Sequence, residues 1–206
     1  MTTSTTTLYY APGTCAQAVL IALYEAGADF ELKKLDFSAN EQRSPAYLAV
    51  NPKGRVPALV TPRGTLTEAP ALLLYVAQTY PQAQLAPLSD PFALAQMQEF
   101  NMYLASTVHI AHAHRPRAAR WADDEAAHAS MRAKVPQNMR EAFGMIENHY
   151  LGDKTWVMGD QYTVADGYLF TVAGWLESDG VNINEFPRVA AHTARMRERA
   201  AVKKLA

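Results

Sequence analysis

The sequence predicts an α/β plus all-α protein in two parts, on three observations. Short strand-type runs alternate with helix-type runs as far as residue 80, Pro81 to Pro91 has the composition of a joint, and from Phe92 onward helical periodicity continues without strand-like alternation. A chain of 206 residues that is 49% hydrophobic and 19% charged has an ordinary globular composition, and each part is long enough to bury a core.

The first part reads in order. Leu8 to Tyr10 is a short strand. Cys15 to Gly27 carries Val19, Leu20, Leu23 and Ala26 at helical spacing, with Gly27 as the stop. Phe30 to Asp36 places Phe30, Leu32 and Leu35 as an imperfect strand, and Ser44 to Val50 makes a helical turn ended by Asn51-Pro52-Lys53-Gly54. Val56 to Thr61 is a third strand, Thr65 to Thr67 a fourth after the Arg63-Gly64 turn, and Ala71 to Tyr80 a helix. Strand, crossover helix and strand imply one parallel pair, and the hairpin and last helix close a small mixed sheet with helices on its faces. The chain therefore divides into residues 1–81, a linker at 82–91 and a helical part at 92–206.

In the helical part, helices are predicted over Phe92 to His114, Glu125 to Tyr150, Val164 to Glu177 and Arg188 to Arg199. Proline inside a helix costs about 3 kcal/mol, so Pro136 either bends the second helix or begins the second of a broken pair. Thr163-Val164-Ala165-Asp166 is a capping box that marks where the third begins, a folding role.

Charge narrows the partners. The formal net charge is -1, with six residues of each sign in residues 1–84, so no basic block marks a nucleic-acid footprint or an anionic membrane surface. No apolar run approaches the ~20 residues of a membrane span. The threonine-rich start lacks the regions of a signal peptide and reads as a frayed cytoplasmic beginning. One cysteine, Cys15, excludes an intramolecular disulfide framework and fits a reducing compartment. A small-molecule partner remains.

Three segments of the first part carry chemistry. Tyr10 to Ala16 joins strand to helix and sets Cys15 in the first turn. Free amides and the helix dipole there would hold a thiolate below its ordinary pKa of ~8.5, although a buried structural cysteine fits the position equally. Asn51 to Pro57 brings a proline to the start of a strand, where a cis bond would turn backbone groups outward for a peptide-like ligand; ~5% of such bonds are cis. Leu66 to Ala71 runs a strand into a helix with Pro70 in the first turn. The amides near Ala69 then form a carboxylate site, unless Thr67 or Glu68 serves only as a cap. In the second part His109, His112 and His114 cluster, and His109 and His112 share a helix face. No cysteine, carboxylate ligand or HExxH pattern accompanies them, so no metal is expected.

The order strand, Tyr9-Tyr10-Ala11-Pro12-Gly13-Thr14-Cys15, helix, then Asn51-Pro52-Lys53-Gly54-Arg55-Val56-Pro57, then Leu66-Thr67-Glu68-Ala69-Pro70-Ala71 and helix, then an all-helical part, resembles the bacterial beta-class glutathione transferases over essentially the whole chain. The resemblance implies a thioredoxin-like first domain that binds glutathione. It sets Cys15 beside the glutathione sulfur, Val56 before a cis Pro57 on the cysteinyl backbone, and Glu68 with Ala69 on the γ-glutamyl end. From the helix stretch Ser106-Thr107-Val108-His109 it brings Ser106 to the glutathione site and His109 as the second catalytic residue, able near neutrality to stabilise a thiolate or hold a water.

Departures from the family pattern accompany the match. Ala69 replaces a serine or glycine and Met102 an asparagine. Asn40 stands where a lysine would meet the glycyl carboxylate, with Lys33, Lys34 and Arg43 nearby. Tyr10, in a position where other classes use a catalytic tyrosine, is secondary here or packs in the core. Tyr10, His112, Arg115 and Trp175 are assigned to the electrophile side, with His114 and Arg117 at its rim; a core position is the alternative for Trp175. The implied activity is detoxifying conjugation of the glutathione thiolate to small hydrophobic electrophiles by a homodimer, with glutathione as co-substrate and no tightly bound cofactor. Two alternatives accompany it: thiol-disulfide exchange through a Cys15 mixed disulfide, in the manner of a one-cysteine glutaredoxin, and a non-catalytic ligand-binding protein.

Overall fold

Residues 6–205 are described by a computed structural model, so the threonine-rich start expected to fray, residues 1–5, lies outside the described residues. Four strands form one sheet: β1 (Thr7–Tyr10), β2 (Glu31–Lys34), β3 (Ala58–Thr61) and β4 (Gly64–Thr67), in the order β2-β1-β3-β4. β1 and β2 are parallel, β3 is antiparallel to both β1 and β4, and the register pairs Leu8 with Leu32 on one side and Leu59 on the other. This is the mixed sheet that the βαβ and ββα order predicts.

The second strand differs from the expected alternation. All four residues of β2 are exposed, Leu32 included, while Leu35 is buried beyond the strand's end. The reason is its place at the sheet edge, where Lys33 and Lys34 keep the unpaired side in water.

Helix α1 (Ala16–Glu25) is buried on nearly every side because it is held between two layers. Its sheet-side residues meet β1 and α3 (Ala69–Thr79), and its other face packs on α7 (Val164–Ala173). Gly167 lies at that crossing, where a Cβ would touch Ile21 at 3.4 Å and crowd the Tyr162 hydroxyl at 3.3 Å. A short helix, α2 (Pro45–Val50), is capped by the Ser44 hydroxyl, which accepts from the Tyr47 N–H at 3.2 Å.

The predicted long helix over Phe92 to His114 is continuous but not regular. α4 (Pro91–Tyr103) passes through a π-helical turn at Leu104–Val108 into α5 (His109–Ala113). Such a turn shifts the phase of the residues that follow it. The second long helix is likewise unbroken: α6 (Glu125–Met145) contains Pro136, and a further π-helical turn extends it to Leu151. Val135, Met139 and Phe143 recur at four-residue spacing and are fully buried, and burial of that stripe outweighs the cost of the proline. α8 (Pro187–Glu198) and α9 (Ala200–Lys203) close the helical part, and one apolar core runs from Leu8 and Leu72 across α1 to Phe100, Leu104 and Tyr168.

The capping box at Thr163 is present and does more than start α7. Fully buried Asp166 accepts the Thr163 N–H at 2.8 Å, the Val157 N–H at 2.8 Å and a bond from the fully buried His192 Nε2 at 3.0 Å. The carboxylate thereby ties the loop before α7 to α8. Asp166→Ala leaves those donors without a partner and is expected to lower stability by roughly 3 kcal/mol or more in urea denaturation; a loss below about 1 kcal/mol would contradict this account.

Candidate active site

A cleft of about 470 Å³ opens between the two parts, within the ~300–1,000 Å³ range of small-molecule sites. The sheet side contributes Cys15 before α1, Val56 and Pro57 before β3, and Glu68 and Ala69 at the start of α3. The Val56–Pro57 bond is cis. The helical side contributes His109 and His112 from α5, Arg117 and Arg120 from the turn after it, and Trp175 after α7. Three segments far apart in sequence thus line one space with the histidine helix.

Of the two readings open for Cys15, a poised thiolate at a helix start and a buried thiol, the surroundings of the sulfur favour the second. The side chain is buried and its Sγ donates to the Val56 carbonyl at 3.7 Å. Thr14, not Cys15, accepts the Ala16 N–H, at 3.3 Å, while donating to the Ala11 carbonyl at 2.7 Å. Burial pushes the thiol up to about 11, outweighing the opposing pull of the Arg117 guanidinium and the backbone. The thiol is neutral at physiological pH.

His109 is also neutral. Burial first, and then the charge of Arg117, push it down to about 4, so at neutral pH it offers a hydrogen bond and no positive charge. Its ring lies 4.9 Å from that of Trp175. Trp175 organises this wall: its Nε1–H donates to the Gly13 carbonyl at 2.9 Å and its ring stacks on His112 at 4.4 Å. His112 Nδ1 in turn lies 2.8 Å from the fully buried Asp179 carboxylate. Trp175 is therefore both a core residue and part of the cleft wall.

Several predicted site residues lie elsewhere. Asn40 is exposed with a left-handed backbone, φ 57, and its Oδ1 accepts from Gln42; Gln42 and Arg43 line the cleft in its place. Lys33 sits over the Tyr9 ring on the exposed edge strand. Ser106 is exposed and donates to the Met102 carbonyl at 2.7 Å, because the π-helical turn presents Ala105 to the cleft instead. Tyr10 is half-buried against the core, and Arg115 is exposed outside the cleft. His114 bonds the Ile110 carbonyl through Nδ1 and stacks on Trp121.

Local pattern does not mark Arg55, Arg120, Trp121 or Asp179 as part of the site. The clustering of Arg115, Arg117 and Arg120 just before Trp121 is a usable signal for the cationic rim. Asp179 had none, since its role depends on a histidine 67 residues away.

The family model for the glutathione S-transferase N-terminal domain matches residues 4–78 and that for the C-terminal domain residues 102–200. The chain belongs to the glutathione S-transferase family. Glutathione S-transferase GstA of Escherichia coli O157:H7 is 34% identical over 95% of this chain and 94% of its own. A glutathione transferase homolog from Sulfitobacter, solved with bound glutathione, superposes with a TM-score of 0.94 at 43% identity, covering 98% of this chain and 96% of that one. The bacterial beta-class enzyme of Sphingomonas chungbukensis gives 0.83 at 32%, covering 96% of each. The first part is thus thioredoxin-like and the second the helical domain of this family. Among the described residues no helix is long and apolar enough to cross a membrane.

A neutral, buried thiol predicts slow chemistry in the protein without ligand. The rate of Cys15 alkylation by iodoacetamide should rise steadily through pH 9 and 10 without levelling off, following a pKa near 11. A plateau reached below pH 8 would show a thiolate and overturn the assignment.

Proposed function

We propose that the protein conjugates glutathione to small electrophiles in this cleft. In this reading the tripeptide lies along the Val56–Pro57 segment with its γ-glutamyl end at Glu68 and Ala69, where Glu68, already paired with Lys53, meets the ammonium group. Its sulfur faces Cys15. Residues 1–81 form the glutathione-binding unit, 82–91 the connection and 92–206 the unit that lines the electrophile side.

The observation that carries this reading is the convergence of Cys15, Val56, Glu68 and His109 on one cleft in a chain of this family. Protonated Cys15 has one S–H, held weakly at 3.7 Å by the Val56 carbonyl, and its role is to turn that donor to the glutathione thiolate rather than to attack. Arg117 supplies positive charge close to that sulfur, and neutral His109 supplies one hydrogen bond. The glutathione thiol gives its proton to solvent, the thiolate attacks an electrophilic carbon, a C–S bond forms and the leaving group departs with its electron pair. A buried, neutral thiol disfavours the alternative exchange reaction, which needs a Cys15 thiolate.

The same reading extends to assembly and place of action. The protein works as a homodimer in a reducing compartment, the cytoplasm, each subunit's first domain against the helical domain of its partner. Sedimentation at micromolar concentration should give a species of twice the 22.7 kDa chain mass; a monomer would contradict it.

Calorimetry should detect glutathione uptake, and an aryl halide should be conjugated above the uncatalysed rate. His109→Ala should lower kcat/KM by about 10- to 100-fold. Cys15→Ser, which keeps a hydroxyl donor, should retain more conjugation than Cys15→Ala. Binding without turnover would reject the transferase reading, and a glutathione adduct on Cys15 by intact mass, lost in Cys15→Ser, would establish exchange instead.

A further inference from the structure

A chain of net charge -1 brings four arginines to one cleft. Arg43 and Arg55 come from the sheet side, Arg117 and Arg120 from the turn after α5. They sense one another across the space: the Arg120 guanidinium is lowered by burial and by the charges of Arg117, Arg55 and Arg43, and Arg117 by burial and Arg55. Guanidinium groups stay charged under such opposition. Among the described residues none of the four side chains has a carboxylate partner or a hydrogen-bond acceptor; Arg63, Arg115 and Arg197 are also unpaired, and what sets the four apart is that they line one cleft. Glu68 is the one carboxylate lining the cleft among the described residues, and Lys53 holds it.

Glutathione does not discharge this cluster. Its γ-glutamyl carboxylate and ammonium belong at the start of α3 and at Glu68, which leaves the glycyl carboxylate and the thiolate facing four cations. Arg43 and Arg55, on the glutathione side, suffice for the glycyl group. Arg117 and Arg120 then remain on the electrophile side, next to Trp121, a residue 43% exposed whose ring stacks on His114.

We propose that the second substrate is an anionic electrophile, a flat or aromatic molecule bearing a carboxylate-type oxyanion that docks on the Arg117 and Arg120 forks. This rests on the transferase reading and sharpens it, since a wholly hydrophobic electrophile would cover half-buried Arg117 and the rim at Arg120 without giving either guanidinium a partner. The planar fork accepts a carboxylate through two parallel bonds, which fixes the reacting carbon relative to the sulfur.

The test compares two conjugates that differ by one charge, S-benzylglutathione and S-(para-carboxybenzyl)glutathione, by calorimetry on the folded full-length protein. The carboxylate form should bind at least about tenfold more tightly at low salt, the advantage shrinking as ionic strength rises. Arg117→Gln and Arg120→Gln, each verified as folded by circular dichroism, should erase most of that advantage, and Arg120→Lys should restore part of it. Equal or weaker binding of the carboxylate form, or an advantage unaffected by either glutamine variant, overturns the proposal and leaves glutathione conjugation standing. If neither conjugate nor glutathione binds, the transferase reading itself fails and takes the proposal with it.

Discussion

The indole N–H of Trp175 donates to the Gly13 carbonyl at 2.9 Å, and the cleft depends on that bond. Gly13 adopts φ +70, a conformation that side-chain-bearing residues rarely hold, within the turn that leads to Cys15. Trp175 follows α7, the helix that packs on α1 at Gly167. That hydrogen bond ties the sulfur-bearing loop to the helical domain, beside the packing of α1 on α7. The stacked His112, held by buried Asp179, stiffens the indole from its other side. A site assembled from two domains needs such a tie, because small shifts between them would separate the sulfur from the histidine helix.

Electrostatics then divides the cleft into unlike regions. At its base, burial keeps both the Cys15 thiol and the His109 imidazole neutral at physiological pH, although by opposite displacements of their pKa. Around and above them four arginines hold fixed positive charge. In the proposed function that field would stabilise the glutathione thiolate. The neutral S–H is then a donor where a resident thiolate would repel. The same field gives the second substrate a reason to carry negative charge.

Much of the architecture was legible in local pattern. Leu8, Leu59 and the apolar positions of α1 and α3 gave the strand and helix periods, the Arg63-Gly64 turn gave the hairpin, and Thr163 with Asp166 gave the start of α7. The candidate site was legible where a motif combined a backbone requirement with a side chain: Cys15, Val56 with Pro57, Glu68 and His109 all line the cleft. Ser106 and Asn40 lie outside the cleft lining for physical reasons. A π-helical turn altered the phase of one, and a left-handed residue with a local hydrogen bond turned the other outward.

By itself the sequence determined the order of elements, the change from mixed to all-helical pattern and the absence of any excess charge, and it marked three segments that line the cleft, because each follows from neighbours within a few residues. Only the tertiary structure decided that Pro136 sits inside an unbroken helix, that Cys15 is protonated, and that arginines from positions 43, 55, 117 and 120 face one another. Those outcomes turn on burial and on distances between residues remote in the chain. Desolvation and Coulomb interaction are properties of the assembled interior and have no counterpart in local sequence.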